Sequence, residues 1–353
     1  MQQSKQYALN VGLRCQLGLE SSLDLYFIHM LQITKELKRV LKKSGLLFWV
    51  HGNSYGGTSP KGKFRDPKYS EGRNLDVYPS GKGWTPKCMT DQNFRLSIKM
   101  VDEQGWIKRN NIVWRKPNSL PSPVKDRLSN NYEMIFMFAK GKKYYSDLDA
   151  IREPHKAESL KRVESGWHGN LCEGHAMSGI KDTDKMNTCH PLGKNIGDIW
   201  DINTQPRPEL HYASFPDSLV EKCLKFGCST KICNECDIPS VRIVDKSYTP
   251  TRPGLKTGSG KSGTDLDPNK SLHQQDISKY RMKIEYKTTG WDTCNCNVGF
   301  HSGIVLDPFS GIGTVGFVAR KMGINFLGFE ICPEYVEIAN KRIPTVLSDF
   351  EED

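Results

Sequence analysis

At 353 residues, 37% hydrophobic and 25% charged, the chain has the ordinary balance of a soluble globular protein long enough for one large domain or two modest ones. No run approaches the ~18 apolar residues of a membrane span, and Met1-Gln2-Gln3-Ser4-Lys5-Gln6-Tyr7 lacks the apolar core of a signal peptide, so a cytoplasmic protein with no membrane partner is expected. The formal charge of +10 suits contact with phosphates, and the many basic residues between Arg109 and Arg162 tilt the reading from mere solubility towards nucleic acid.

In chain order, apolar residues at helical spacing (Leu25, Ile28, Leu31, Ile33, Leu37, Val40, Leu41) predict a helix over 23–41. Gly45 ends it, and Leu46–Val50 reads as a buried strand. The Gly-, Ser-, Pro- and Lys-rich stretch 52–84 reads as a surface loop. A helix over 93–104 and strands over 106–114 and 132–139 follow. Residues 153–195 are polar, basic and without clear pattern. A short strand is expected at 199–202 and a helix at 216–226, with a second weakly structured stretch over 246–279. The last part is clearest: strand 303–306, a glycine-rich turn, helix 315–322, strand 325–329 and helix 333–342.

That last unit carries the strongest signal. Ile304-Val305-Leu306-Asp307-Pro308-Phe309-Ser310-Gly311-Ile312-Gly313-Thr314 places glycines after a strand, where backbone can approach a ligand and the next helix offers free amides. Glu330 ends the following strand, where a carboxylate can accept both ribose hydroxyls of a nucleoside. Gly311-x-Gly313-x-x-Gly316 also matches a dinucleotide fingerprint formally. Too little chain follows Glu330 to complete a Rossmann sheet in the usual order, so the remaining strands must come from the N-terminal half, which argues against a dehydrogenase.

Asp307-Pro-Phe-Ser-Gly-Ile-Gly-Thr314 resembles the S-adenosylmethionine motif of the DNA amino-methyltransferases, in the permuted class whose catalytic half precedes the cofactor half. Further blocks occur in that family's order: Gln16–Glu20 with the helix and strand after it, Trp114-Arg115-Lys116-Pro117-Asn118 with Pro121 and Asn131-Tyr132-Glu133, Ile196–Trp200, and His211–Pro216. The resemblance implies a three-layer, Rossmann-like α/β fold with a mainly parallel sheet. It divides the chain into a catalytic half (1–150), a target-recognition insertion (151–205) and a cofactor half (206–353) with a cysteine-rich insertion at 228–300. It implies S-adenosylmethionine over Asp307, Pro308, Phe309, Ser310, Gly311, Gly313 and Thr314, with Glu330 on the ribose and His211, Phe215 and Pro216 near the methionine end.

The implied reaction is methyl transfer to an exocyclic base amine in duplex DNA, of the kind used in restriction-modification. Such an amine is a poor nucleophile because its lone pair is delocalised into the ring. The family answers with a Ser/Asp-Pro-Pro-Tyr tetrapeptide. Its first side chain and a backbone carbonyl accept hydrogen bonds from the amine, the prolines fix that carbonyl, and the tyrosine stacks on the flipped base. Here the corresponding place is Ser4-Lys5-Gln6-Tyr7: the ends match, so Ser4 and Tyr7 are the catalytic candidates, but both prolines are absent. Three accounts stay open: a start lying upstream, a remnant that binds DNA or cofactor without catalysis, or a motif that works without its prolines. A serine in first place is similar to cytosine-N4 rather than adenine-N6 enzymes. RNA as substrate is a further alternative.

Eleven cysteines, an odd number without a secretion signal, point to metal binding or free thiols rather than a disulfide framework. Cys233-Asn-Glu-Cys236 and Cys294-Asn-Cys296 flank a polar insertion, and two such pairs can close one tetrahedral structural zinc site. Cys228 is a spare ligand candidate, while Cys15, Cys332 and the rest read as small buried apolar groups. Trp49, Trp114 and Trp200 read as core. Lys125, Arg127, Lys140, Lys142 and Lys143 either track phosphates or form a solvated face.

Overall fold

The computed structural model of the chain describes residues 17–18, 20, 22–56, 84–119, 122, 124–164, 190, 192–206, 215–251 and 281–344. Its elements run α1 (Leu23–Val40), β1 (Leu46–His51), α2 (Gln92–Gln104), β2 (Ile107–Arg115), β3 (Tyr132–Ala139), a 3-10 turn (Asp149–Ile151), α3 (Ala157–Glu164), β4 (Ile199–Asp201), α4 (Asp217–Gly227), β5 (Ile232–Cys233), β6 (Val241–Thr251), β7 (Arg281–Asp292), β8 (Phe300–His301), β9 (Ile304–Asp307), α5 (Thr314–Lys321), β10 (Asn325–Gly328) and α6 (Pro333–Arg342). They fall into two compact units. Unit 1 comprises 1–151, 195–230 and 302–353; unit 2 comprises 152–194 and 231–301.

Unit 1 is layered because β3 is buried on both faces. It sits between β1 and β2, antiparallel to each, and β4 extends the sheet parallel to β2. Six consecutive residues from Met134 to Ala139 are buried, and they divide with the period of a strand. Met134, Phe136 and Phe138 join Leu23, Phe27, Met30, Leu96 and Met100 from α1 and α2 on one face. Ile135 and Met137 join Ile112, Trp114, Trp200 and Leu219 on the other. Trp49, Trp114 and Trp200 are core, as expected. Helix α4 carries the packing onward, since Val220 and Leu224 meet Val318, Ala319 and Ile324 of the C-terminal segment. Each fully buried aromatic side chain contributes roughly 2–3 kcal/mol by leaving water.

The α/β class expected from the sequence is what the chain has, and its ladders are of both kinds. β2/β4 and β9/β10 are parallel; β1/β3 and β2/β3 are antiparallel. No crossover helix lies between β2 and β3, so chain direction must reverse there. Helix ends follow local chemistry. Ser22 caps α1 by accepting from the Leu25 amide at 3.2 Å, with Asp24 in the first turn and Lys38 and Arg39 in the last. Lys140 donates to the carbonyls of Arg39 and Leu41, satisfying the far end of that helix, so this lysine is structural. Residues 195–205, grouped on the sequence with the recognition insertion, pair into unit 1 instead, because β4 adds to β2.

Unit 2 is different. Its longest feature is the antiparallel β6/β7 ribbon, registered from Val241↔Asp292 to Thr251↔Arg281. Residues 246–279 lack a pattern in the sequence, yet the described part, 246–251, is strand. Its pairing partner lies about thirty residues further along the chain, where no local periodicity can announce it. At the ribbon's foot β5 pairs antiparallel with β8, Ile232↔His301 and Cys233↔Phe300.

Candidate functional site

The glycine-rich turn after β9 is held open by conformation and by one carboxylate. Gly311 (φ 53°) and Gly313 (φ 78°) both take left-handed backbone, which an L side chain resists. Any Cβ on Gly313 would also lie 2.9 Å from that of Ala339, and one on Gly316 would strike Phe326 and Ile343. These glycines therefore let α5 sit close against β10 and α6. Asp307 and Gly328 are register partners in the parallel pair, so Asp307 and Glu330 approach at the same strand ends.

Glu330 stitches the turn to its neighbour. One carboxylate oxygen accepts from the Gly311 amide at 2.8 Å; the other accepts from Ile331 and Cys332 at 2.9 and 2.8 Å. A carboxylate has about four lone-pair sites, so acceptor capacity remains for a ligand hydroxyl. Asp307 accepts from the Phe309 amide at 3.0 Å. Burial pushes its carboxyl above the usual carboxylate range, the Phe309 bond pulls it back, and the negative charge of Glu330 raises it further. Around these acids Phe309, Phe329 and Ile331 stay exposed, an apolar rim beside polar acceptors. The arrangement fits a nucleoside, with hydroxyls on carboxylate and an apolar ring against the rim.

Two contacts that sequence reasoning missed tie this turn to the rest of unit 1. Arg342, in the last turn of α6, donates to the Ile312 carbonyl and to Thr314 Oγ1, and lies 3.5 Å from Asp217 at the start of α4. It thereby links the glycine turn to Phe215 and Pro216, the residues just before α4. Nothing in a basic residue near a helix C-terminus announces such a role. Trp49 of β1 meets Phe309 edge-on at 6.1 Å between ring centroids.

Beside Trp49, His51 ends β1 with its Nε2 3.0 Å from the Tyr26 hydroxyl. Burial pushes the imidazole down to about 4, and pushes the Tyr26 phenol up to about 12, with Glu20 adding to the latter. Glu20 itself pairs with His29 at 2.9 Å, buried. The His51 Nδ1 and Trp49 Nε1 atoms are buried without a hydrogen-bond partner.

Of the sequence-predicted residues, Asp307, Pro308, Phe309, Ser310, Gly311, Gly313, Thr314 and Glu330 come together in this one turn. Phe215 and Pro216 flank it through α4. Ser4, Tyr7, His211 and Cys15 lie outside the described residues. The Trp114–Asn118 block serves as an anchor: Trp114 Nε1 donates to the Ile202 carbonyl, Arg115 pairs bidentately with Asp201, and Asn118 bonds Thr204. Arg127 lies 3.9 Å over the Tyr55 ring, while Lys125, Lys142 and Lys143 are solvated.

The four paired cysteines also converge, their Sγ atoms all within 4.8 Å of one another. Cys228 is not among them; it packs with Val318 and Ala319, and burial pushes its thiol up to about 11. Cys223 is likewise apolar-packed and pushed up to about 12. Two expected core thiols are not core: Cys88 is exposed, and Cys332 is half-buried at the start of α6, donating to Glu334. Each falls where the backbone turns, and there it cannot reach an apolar layer.

A strand, glycine turn and helix followed by a second strand and a carboxylate have the features of a nucleoside-binding α/β unit. The particular family follows from comparison. The DNA methylase family model of the N6/N4 methyltransferase type matches residues 7–231 and 297–341, and the chain belongs to that family. Type II methyltransferase M.SfiI of Streptomyces fimbriatus is 34% identical over 361 residues, covering 91% of this chain and 80% of its own. M.XycI of Xanthomonas campestris pv. cyanopsidis is 27% identical and M.Cfr9I of Citrobacter freundii 28% identical, each covering 94% of this chain and 76% of its own. The segment of the chain that the family model leaves unmatched, 232–296, contains the β6/β7 ribbon and all four clustered cysteines.

Proposed function

We propose that the chain methylates an exocyclic base amine in duplex DNA, cytosine N4 in preference to adenine N6, as the modification partner of a restriction system. The observation that carries the reading is Glu330 held by three backbone amides beside a left-handed glycine turn. S-adenosylmethionine, when bound, supplies the electrophilic methyl group. Glu330 would accept the ribose hydroxyls, Asp307 would set the charge at the strand end, and Phe309, Phe329 and Ile331 would shelter the purine. Phe215 and Pro216, fixed through Asp217 and Arg342, would border the methionine end. Ser4 would accept from the target amine and Tyr7 would stack on the flipped base, leaving positioning as the main source of rate. Of the expected recognition insertion 151–205, the part outside the unit 1 sheet, 152–194, would read the target, and the basic face with Lys125 would lie along phosphates.

A second reading follows from Ser4-Lys5-Gln6-Tyr7, where neither proline fixes the carbonyl: a chain that binds cofactor and DNA without transfer. The deciding experiment is transfer of radiolabelled methyl from S-adenosylmethionine to unmodified duplex DNA and to RNA, with calorimetric cofactor binding, for the chain and Asp307→Asn. Label in DNA that drops at least 10-fold in the variant supports the enzyme. Binding without label sinks the catalytic reading, and label in RNA alone sinks the DNA one.

A further inference from the structure

Among the side chains that the structure describes, the buried apolar ones belong to unit 1 except Cys233, which is 1% exposed. Ile238, Val241, Ile243, Val298 and Phe300 of unit 2 are all exposed. Turns bordered by such exposed apolar side chains gain a defined form from a covalent or metal staple.

The cysteines stand where such a staple is needed. Cys233 ends β5 and Cys236 lies in the turn after it, closed by the Asp237 amide donating to the Cys233 carbonyl at 3.2 Å, with Asp237 left-handed at φ 56°. The Glu235 amide approaches Cys233 Sγ at 3.5 Å, a contact that favours a thiolate. Cys294 and Cys296 lie in a second tight turn, completed by Asn297 (φ 54°) and Gly299 (φ 83°). That turn also explains the one-residue spacing: in extended chain, residues two apart share a face but stand too far apart to share an ion with a second pair, and the reversal brings them in.

Asn234, between the first two cysteines, zips the turns together. Its amide donates to Gly299 O at 3.2 Å and its Nδ2 to Val298 O at 3.2 Å. His301 Nδ1 is 3.0 Å from Asn234 Oδ1, which engages this imidazole outside the cluster. All four cysteines are free thiols, so no disulfide consumes them.

We propose that Cys233, Cys236, Cys294 and Cys296 bind one Zn2+ as four thiolates, and that this ion clasps both roots of the β6/β7 ribbon. Zn–S bonds of about 2.3 Å in a tetrahedron place sulfurs about 3.8 Å apart, close to the observed grouping within 4.8 Å. Binding releases a proton from each thiol that is protonated beforehand, and no redox partner is needed. The clasp is placed by the chain itself: β6 begins at Val241, soon after Cys236, and β7 ends at Asp292, just before Cys294. One ion therefore cross-links the two strands at their first register pair, Val241↔Asp292. The ribbon is then anchored at both roots by a metal held within its own unit.

The test uses the full chain produced with zinc supplied, the Cys294→Ser/Cys296→Ser double variant, and Cys88→Ser as an exposed-thiol control. Expected are one zinc per chain in the first and third, at least 10-fold less in the double variant, and tetrahedral cobalt–thiolate absorption after exchange with Co2+. Chelation should unmask four additional reactive thiols and speed amide exchange at least 10-fold in 241–251 and 281–292, leaving 304–342 unchanged. Metal-free protein with four reactive thiols, a disulfide within the cluster, or bound iron overturns the site. Bound zinc whose removal leaves ribbon exchange unaltered overturns the clasp.

Discussion

The glycine turn after β9 and the cysteine turns solve one problem by different means. Each must hold several tight reversals, with left-handed residues Gly311 and Gly313 in one case and Asp237, Asn297 and Gly299 in the other. The glycine turn has apolar packing behind it, α5 lying against Val220 and Leu224, and Glu330 joins it to the next strand end through the Gly311, Ile331 and Cys332 amides. The cysteine turns rest on hydrogen bonds and the proposed ion, with exposed apolar residues around them. Where apolar layers exist, polar groups are free to be shaped for a ligand. Where they do not, the polar groups themselves must do the holding.

The sharpest way to separate the regions is to damage one core. Phe136→Ala removes a fully buried ring from β3 and should cost ~3–5 kcal/mol in denaturant unfolding of unit 1. Zinc content should stay at one per chain wherever native protein persists. Metal loss accompanying this substitution would break the claim that the two regions are held separately.

Acid should weaken unit 1 through His51, whose folded value of about 4 lies below the ordinary 6.5. The unfolded chain then binds the proton more readily, so the stabilisation is complete above pH 6.5 and is lost as pH falls towards 4. The full shift corresponds to about 3 kcal/mol, and His51→Gln should flatten that part of the stability–pH curve. An unchanged slope in the variant would place the acid sensitivity elsewhere.

Gly313→Ala should cost about 1–2 kcal/mol from left-handed strain alone, with further cost from the Ala339 contact. Cofactor affinity should fall with it while zinc binding persists, as calorimetry on the same sample would register. The smallest stability effect is Asp307→Asn. Burial disfavours the charged carboxylate and the Phe309 amide keeps its acceptor, so stability in denaturant unfolding should hold or rise slightly. Methyl transfer should nevertheless be lost. A variant that is both stable and active would remove Asp307 from the site.

Much of unit 1 could be read from the chain because its signals are local. The 132–139 strand carries an apolar run from Met134 to Ala139, and its observed span agrees. The Asp307–Thr314 turn is a contiguous stretch whose glycines and flanking strand carry their own conformational demands. The β6/β7 ribbon was missed for the opposite reason, since Val241 finds Asp292 only through register across a long insertion. Arg342 and His51 were missed too, because their roles arise from what packs on them.

The sequence by itself determined the element types of unit 1, the glycine turn, the carboxylate at Glu330 and the cysteine pairs, since period, steric freedom and side-chain chemistry act over a few residues. Tertiary structure decided which distant pieces meet. It sent alternate residues of β3 to opposite layers, joined Asp217 to Arg342 across the fold, and closed four cysteines into one cluster while leaving Cys228 in an apolar layer. Such meetings depend on loop closure and burial summed over the whole chain, and no short window of sequence contains that sum.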